Sequence, residues 1–337
     1  MIIFLVTFAV AFLGSLVLTP LAGHLARRFG FVDIPHEPKH VHQIPIPRLG
    51  GVALYVAFLA AVAVTLVLPV ERQDPLELHR VAGLLVGSTI AFGLGVYDDR
   101  RELGPVPQII IQVLAAGVAI YCGITISQIA NPFGGMIAFS LPVTVALTLF
   151  WLVGMMNTVN WLDGLDGLAG GVTVIASVLL FAHSYSLGQY SIALLPLALA
   201  GCVLGFLPFN FYPAKIFMGT SGAMFLGFAL GSIAIIGGAK MATALLVLGI
   251  PILDVAWQIL HRLRLGHSPF LGDRGHLHHR LLDLGLSHRR VVLLFYLLCA
   301  TFGALALILG TGLQKLLVLL AMGIVAFAVL IILASRE

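Results

Sequence analysis

Eleven runs of mostly apolar residues divide this chain, and they constrain its fold more than any other feature. They lie at about 1–22, 50–69, 81–96, 108–122, 141–157, 167–183, 190–207, 218–236, 242–259, 291–309 and 314–333. A helix crossing the ~30 Å apolar layer of a bilayer needs about 20 such residues, and fewer when flanking side chains snorkel. Only 9% of the 337 residues are charged, against roughly 25% in an ordinary soluble domain. So little charge could not cover a folded surface in water. That excludes a soluble enzyme, a disordered chain and a small disulfide scaffold. The expectation is an all-α, polytopic integral membrane protein of about 11 transmembrane helices, a single domain over residues 1–337. Cys122, Cys202 and Cys299 all fall in apolar runs and read as small buried hydrophobes. A net charge of +4 is too small to imply a nucleic-acid partner. The first run has no basic residue at its start and no small-residue cleavage site, so it reads as a retained helix.

Lys and Arg set the orientation. With the N-terminus outside and the spans alternating, 14 of the 18 basic residues fall on the cytoplasmic side. Arg72, Arg80, Lys240 and Lys315 are the exceptions. The C-terminus is then cytoplasmic. Ten of the 12 histidines and most of the acids gather on that same face. Polar segments converge there at about 23–49, 97–107, 157–166, 208–217 and 260–290. A transporter or flippase would need polar residues along a path. Here most spans are clean, and no long inverted repeat is visible.

Five constellations on this face carry chemistry. Asp98 and Asp99 end the third span, where adjacent carboxylates repel and the helix dipole disfavours them. They need either a divalent cation or Arg100 and Arg101; a merely solvated helix end is the plain alternative. Asn157, Asn160, Asp163 and Asp166 recur every third residue, so the first three can share one broad helical face. Gly164 and Gly167 open the backbone beside them, and Asp166 suits a helix N-cap. Four amide or carboxylate groups at one interface are costly unless they bind something. Lys215-Ile-Phe217-Met-Gly-Thr220-Ser221-Gly opens the eighth span. There Thr220 or Ser221 can cap the helix, free N–H groups can receive phosphate, and Phe217 can stack on a base. The last loop holds Asp273-Arg-Gly-His276-Leu-His278-His279-Arg280. With no cysteine alongside, it suits a diphosphate better than zinc. The proline-rich first loop, with His42 and Arg48, is a stiff strap whose basic end can hold a lipid phosphate.

In this order the segments resemble the polyprenyl-phosphate N-acetylhexosamine-1-phosphate transferases, from about residue 1 to 310. Pro45-Ile-Pro-Arg48-Leu-Gly-Gly51, Asp98-Asp99, the Asn157 to Asp166 run, Lys215-Ile-Phe-Met-Gly and His276-Leu-His-His-Arg280 carry the likeness. The sister branch, phospho-N-acetylmuramoyl-pentapeptide transferase, is less similar in its first and last loops. The resemblance implies a bacterial inner-membrane enzyme with a cytoplasmic active site. A UDP-N-acetylhexosamine, with the N-acetylglucosamine form favoured, and undecaprenyl phosphate react to a lipid diphosphate sugar and UMP. Magnesium, with manganese as a substitute, is implied, as are contacts with membrane lipids and a homodimer. It further implies that Asp98 orients the lipid phosphate and that Asp99, Asp163 and Asp166 serve catalysis and the metal. Asn157 and Asn160 fall on the nucleotide side and Phe217 under uracil. Lys215, His42, Arg48, His276, His278, His279 and Arg280 contact phosphates or sugar. Three positions depart from the family pattern: Thr220 stands where an Asp metal ligand is expected, Gln108 where Lys is, and His40 where Lys is. The same residues are compatible with an impaired homologue that binds without turnover.

Overall fold

The computed structural model describes residues 1–34, 45–236, 241–266, 268 and 275–334. Thirteen helices follow one another among these: α1 (Ile2–Phe29), α2 (Gly50–Val67), α3 (Glu77–Arg101), α4 (Pro105–Tyr121), α5 (Leu141–Leu162), α6 (Leu168–Ser186) and α7 (Tyr190–Asn210) come first. Then come α8 (Gly219–Ile235), α9 (Met241–Val247), α10 (Gly249–Arg264), α11 (Leu277–Asp283), α12 (His288–Ile308) and α13 (Gly312–Ala334). Two small antiparallel hairpins complete the chain, β1 (Val32–Asp33) with β2 (Ile46–Pro47), and β3 (Gln128–Ala130) with β4 (Met136–Ala138).

Eight helices are long and apolar enough to cross a bilayer. The three other expected spans fall on the shorter apolar helices α4 and α8 and on the pair α9–α10, bent by 72° at its break. The protein is therefore a multi-pass helical membrane protein. All five expected polar loops are partly helical: α1 runs on to Phe29 and α7 to Asn210. α3 runs on to Arg101, α5 to Leu162, and the last loop folds α11.

All 17 residues of α8 are buried. A helix apolar on every side belongs in the middle of a bundle. α2, α3 and α5 pack around it, and small residues let their backbones close in, as between membrane helices generally. A Cβ at Gly51 would lie 2.3 Å from Gly222 N, and one at Gly95 would lie 2.3 Å from the Ser221 Cα. Both contacts lie at the first turn of α8, so they fix where α2 and α3 deliver their polar ends. α13 is the opposite case. Only 11% of its most apolar window is buried, leaving its flanks to lipid.

Candidate active site

The strap end builds the first wall. Ile46–Pro47 pairs with Val32–Asp33. The Pro47 carbonyl accepts the Phe217 N–H (2.8 Å), while Gly50 and Gly51 N–H donate to the carbonyls of Phe217 and Met218, both at 2.9 Å. This clasp sets Arg48 beside the start of α8. The Arg48 Nε lies 3.1 Å from Asp99 Oδ1, and its Nη2 donates to Thr220 Oγ1 at 3.4 Å.

Asp99 is the anion at the N-terminus of α8. Its side chain is fully buried. Its two oxygens accept the N–H groups of Thr220 (2.8 Å) and Ser221 (3.1 Å). This corrects two expectations. Neither Thr220 nor Ser221 caps α8 with its side chain, because a carboxylate from α3 does so instead. For the same reason those N–H groups are not open to an external phosphate. The charge opposite Asp99 is also not the expected one. Arg48 supplies it, while Arg100 donates to the Phe29 carbonyl (3.2 Å) and lies over the Phe31 ring.

Neighbouring residues on a helix point about 100° apart, and that separates the pair. Asp98 Oδ1 accepts the Leu103 N–H (2.9 Å) and the Gln108 amide (2.7 Å). Gln108 thus holds Asp98 without adding charge.

The turn after α5 forms the second wall. Asp163 caps α5, half-buried. Its carboxyl is pushed well above the ordinary range by burial first, and further by Asp99 and Asp166, against the opposing pull of Arg48. Asp166 is not an N-cap: α6 begins after Gly167, in left-handed conformation at φ 80°. Asp166 Oδ2 instead accepts the Ala214 N–H at 2.9 Å. Asn210 secures the same corner by accepting the Gly167 N–H (3.1 Å) and donating to the Ile216 carbonyl (3.1 Å). Asn160 is half-buried one turn back. Asn157 is already engaged, donating to Gln112 Oε1 and to the Val153 carbonyl, both at 2.8 Å. It clips α4 to α5 through the fully buried Gln112.

α11 brings the histidines onto this turn. A Cβ on Gly164 would sit 2.5 Å from His278 Nε2, so a larger residue there would push the His278 ring from its place. His278 is buried, and neither ring nitrogen has a partner among the described residues. Burial above all, then His279, His276 and His288, holds its imidazole well below the ordinary 6.5. His276 and Arg280 are buried beside it. Lys215 is exposed and Phe217 half-buried, next to the strap clasp. His42 and His40 lie outside the described residues.

No three His, Cys, Asp or Glu side chains form a closed metal cluster among the described residues. This includes the histidine trio and the three carboxylates. The carboxylates nonetheless suit a cation: they repel one another, and among the described residues Arg48 is the cation acting on Asp163. Magnesium binds through one or two carboxylates and takes its other oxygens from substrate phosphates and water.

Sequence reasoning missed Asp254, Gln258, Gln112 and Asn210. Asp254 carried a usable signal, as an ionisable residue inside an apolar run.

A profile for glycosyl transferase family 4 matches residues 81–238. The chain is 38% identical over 306 residues to the decaprenyl-phosphate N-acetylglucosaminephosphotransferase of Mycobacterium leprae, covering 83% of this chain and 77% of that protein. It is 34% identical over 320 residues to a probable undecaprenyl-phosphate N-acetylglucosaminyl 1-phosphate transferase of Bacillus subtilis, covering 93% and 86%. The phospho-N-acetylmuramoyl-pentapeptide-transferase of Bacillus velezensis is 33% identical over 329 residues, covering 91% and 97%. With this coverage, the chain belongs to the polyprenyl-phosphate N-acetylhexosamine-1-phosphate transferases of glycosyl transferase family 4.

Proposed function

We propose that the protein transfers N-acetylglucosamine-1-phosphate from UDP-N-acetylglucosamine to a polyprenyl phosphate, releasing UMP. The observation that carries this reading is the meeting of Asp99, Asp163 and Asp166 at the end of an apolar helix bundle, with Arg48 against Asp99 and acting on Asp163. Phosphoryl transfer asks a protein mainly for positioning and charge neutralisation. An acceptor phosphate monoester, with a second pKa near 6, is largely ionised already, so no strong base is needed. Asp98, steadied by Gln108, orients that phosphate. Asp163 and Asp166, with Asp99 behind them, are the metal side of the site. Bound magnesium would neutralise diphosphate charge there. Asn160 and Phe217 face the nucleotide, and Asn157 supports that wall through Gln112. His276, His278, His279 and Arg280, with Lys215, Arg48 and His42, contact the diphosphate and sugar. The charge bias supports eleven spans, an outside N-terminus and an active site on the cytoplasmic face of the bacterial inner membrane. Undecaprenyl phosphate is the acceptor of choice for assay, and a homodimer the expected assembly.

UMP release from UDP-N-acetylglucosamine, undecaprenyl phosphate and magnesium tests the reading. Nucleotide binding without UMP favours the second reading, a homologue that binds but does not turn over. Thr220 motivates it: the hydroxyl meets Arg48 at 3.4 Å but brings no charge to the metal side. Thr220→Asp places a second carboxylate beside Arg48 and is expected to raise magnesium-dependent turnover. No gain in UMP release would sink Thr220 as the defect.

A further inference from the structure

Outside the carboxylate turn, α10 carries a polar stripe that enters none of the roles above. Asp254, Gln258 and Arg262 stand four residues apart, on one helical face, and all three are buried. Asp254 and Gln258 meet the segment that begins α11. Asp254 Oδ1 accepts the Leu277 N–H at 2.8 Å, and Asp254 Oδ2 lies 2.9 Å from His276 Nδ1. The Gln258 amide donates to the Gly275 carbonyl, which also accepts Arg280 Nε at 2.6 Å. One face of a membrane helix thus grips three successive residues, 275 to 277.

We propose that Asp254 is a positioning residue that fixes the tautomer and aim of His276. This rests on the transferase reading for the role of His276 itself. A carboxylate only accepts hydrogen bonds, so the proton of the neutral ring sits on Nδ1. Nε2 is left as a lone pair, and the second carboxylate oxygen locks the ring by capping α11. The ring then lies 5.8 Å from Trp161 and 5.7 Å, stacked, from His278. Trp161 stands two residues before Asp163, so the fixed imidazole borders the carboxylate turn. Carboxylates paired with a histidine in this way set which nitrogen faces the chemistry.

Asp254→Asn separates the two jobs of the carboxylate. The amide oxygen still caps Leu277, while the amide NH₂ facing Nδ1 is donor against donor and moves the ring proton to Nε2. The experiment uses the full chain in nanodiscs with ¹⁵N-labelled histidine at pH 8.5, His276 being identified by its loss in His276→Gln. The expected result is an Nδ1–H ring in the wild type and an Nε2–H ring in Asp254→Asn. With UDP-N-acetylglucosamine and undecaprenyl phosphate, kcat falls about 10- to 100-fold with KM changed less than about threefold. Added to His276→Gln, the Asn substitution costs less than about twofold more. An Nε2–H ring in the wild type overturns the proposal, and decides it even if the variant does not fold. An unchanged tautomer in Asp254→Asn, or full additivity with His276→Gln, also overturns it. So does a tautomer switch with kcat within about twofold of wild type. A tautomer switch in a protein that releases no UMP supports Asp254 and counts against the transferase reading.

Discussion

The two ends of the 25-residue α3 both carry carboxylates, about 32 Å apart along the helix axis, and the protein treats them oppositely. At its start, Glu77 is 1% exposed and matched. Arg72 pairs with it and also donates to the Thr65 carbonyl (2.8 Å), and Ser191 donates to its other oxygen at 2.7 Å. Nearby, Arg80 pairs with Asp74 and donates to the Gly123 carbonyl. Glu77 and Asp74 thus each have their own arginine. At the far end, Asp98 has a neutral partner in Gln108, and among the described residues Arg48 pairs with Asp99 and acts on Asp163, while Asp99 and Asp166 add like charge beside Asp163. Buried charge that is balanced ties helices together. Buried charge left unbalanced is what a site for a cation and a diphosphate requires.

The largest effect separating the two ends is expected at Asp163. Asp163→Asn removes a carboxylate from the metal side, and magnesium-dependent UMP release should fall about 100- to 1000-fold. Its folded pKa is raised, so its ionised form costs stability, increasingly as pH rises through that value. The substitution should therefore leave the metal-free protein at least as stable at neutral pH. A thermal melt showing clear destabilisation would make Asp163 a structural acid like Glu77. Next comes the converse change. Glu77→Ala leaves Arg72 poorly matched in the bundle and should cost about 3 kcal/mol, read as a lower midpoint in chemical denaturation. The folded fraction should keep its kcat; a lost kcat at full folding would erase the contrast. The smallest effect is expected at His278. Its pKa is depressed from 6.5, so the unfolded chain takes up the proton more readily. Stability is full above about pH 6.5 and falls below it by at most about 1.4 kcal/mol per pH unit. His278→Asn should flatten melts recorded from pH 8 to 5, and an unchanged slope would place the acid sensitivity elsewhere.

Much of this was legible in the sequence. Apolar runs are local, and each of the eleven coincides with a helix or with the bent pair α9–α10. The site residues Asp98, Asp99, Asp163, Asp166 and the histidine segment could be named because polar residues in such a chain are few. What each of them touches could not. Asp98 and Asp99 were expected to answer to a divalent cation or to Arg100 and Arg101, yet the arginine against Asp99 is Arg48, 51 positions away. Asn157 was expected to face a nucleotide, yet its amide is spent on Gln112. Asp254 was passed over because its partners, His276 and Leu277, lie in another segment.

The sequence by itself determined that this protein lives in a membrane as a bundle of helices, and which few polar residues are candidates to carry its chemistry. Hydrophobic length and charge scarcity act residue by residue, so they need no partner to be read. Tertiary structure decided which carboxylate caps α8, which arginine answers it, and which imidazole is locked by an acid. Those outcomes depend on backbones that approach closely where Gly51 and Gly95 leave room, on Gly164 facing the His278 ring, and on pairings between segments far apart in the chain.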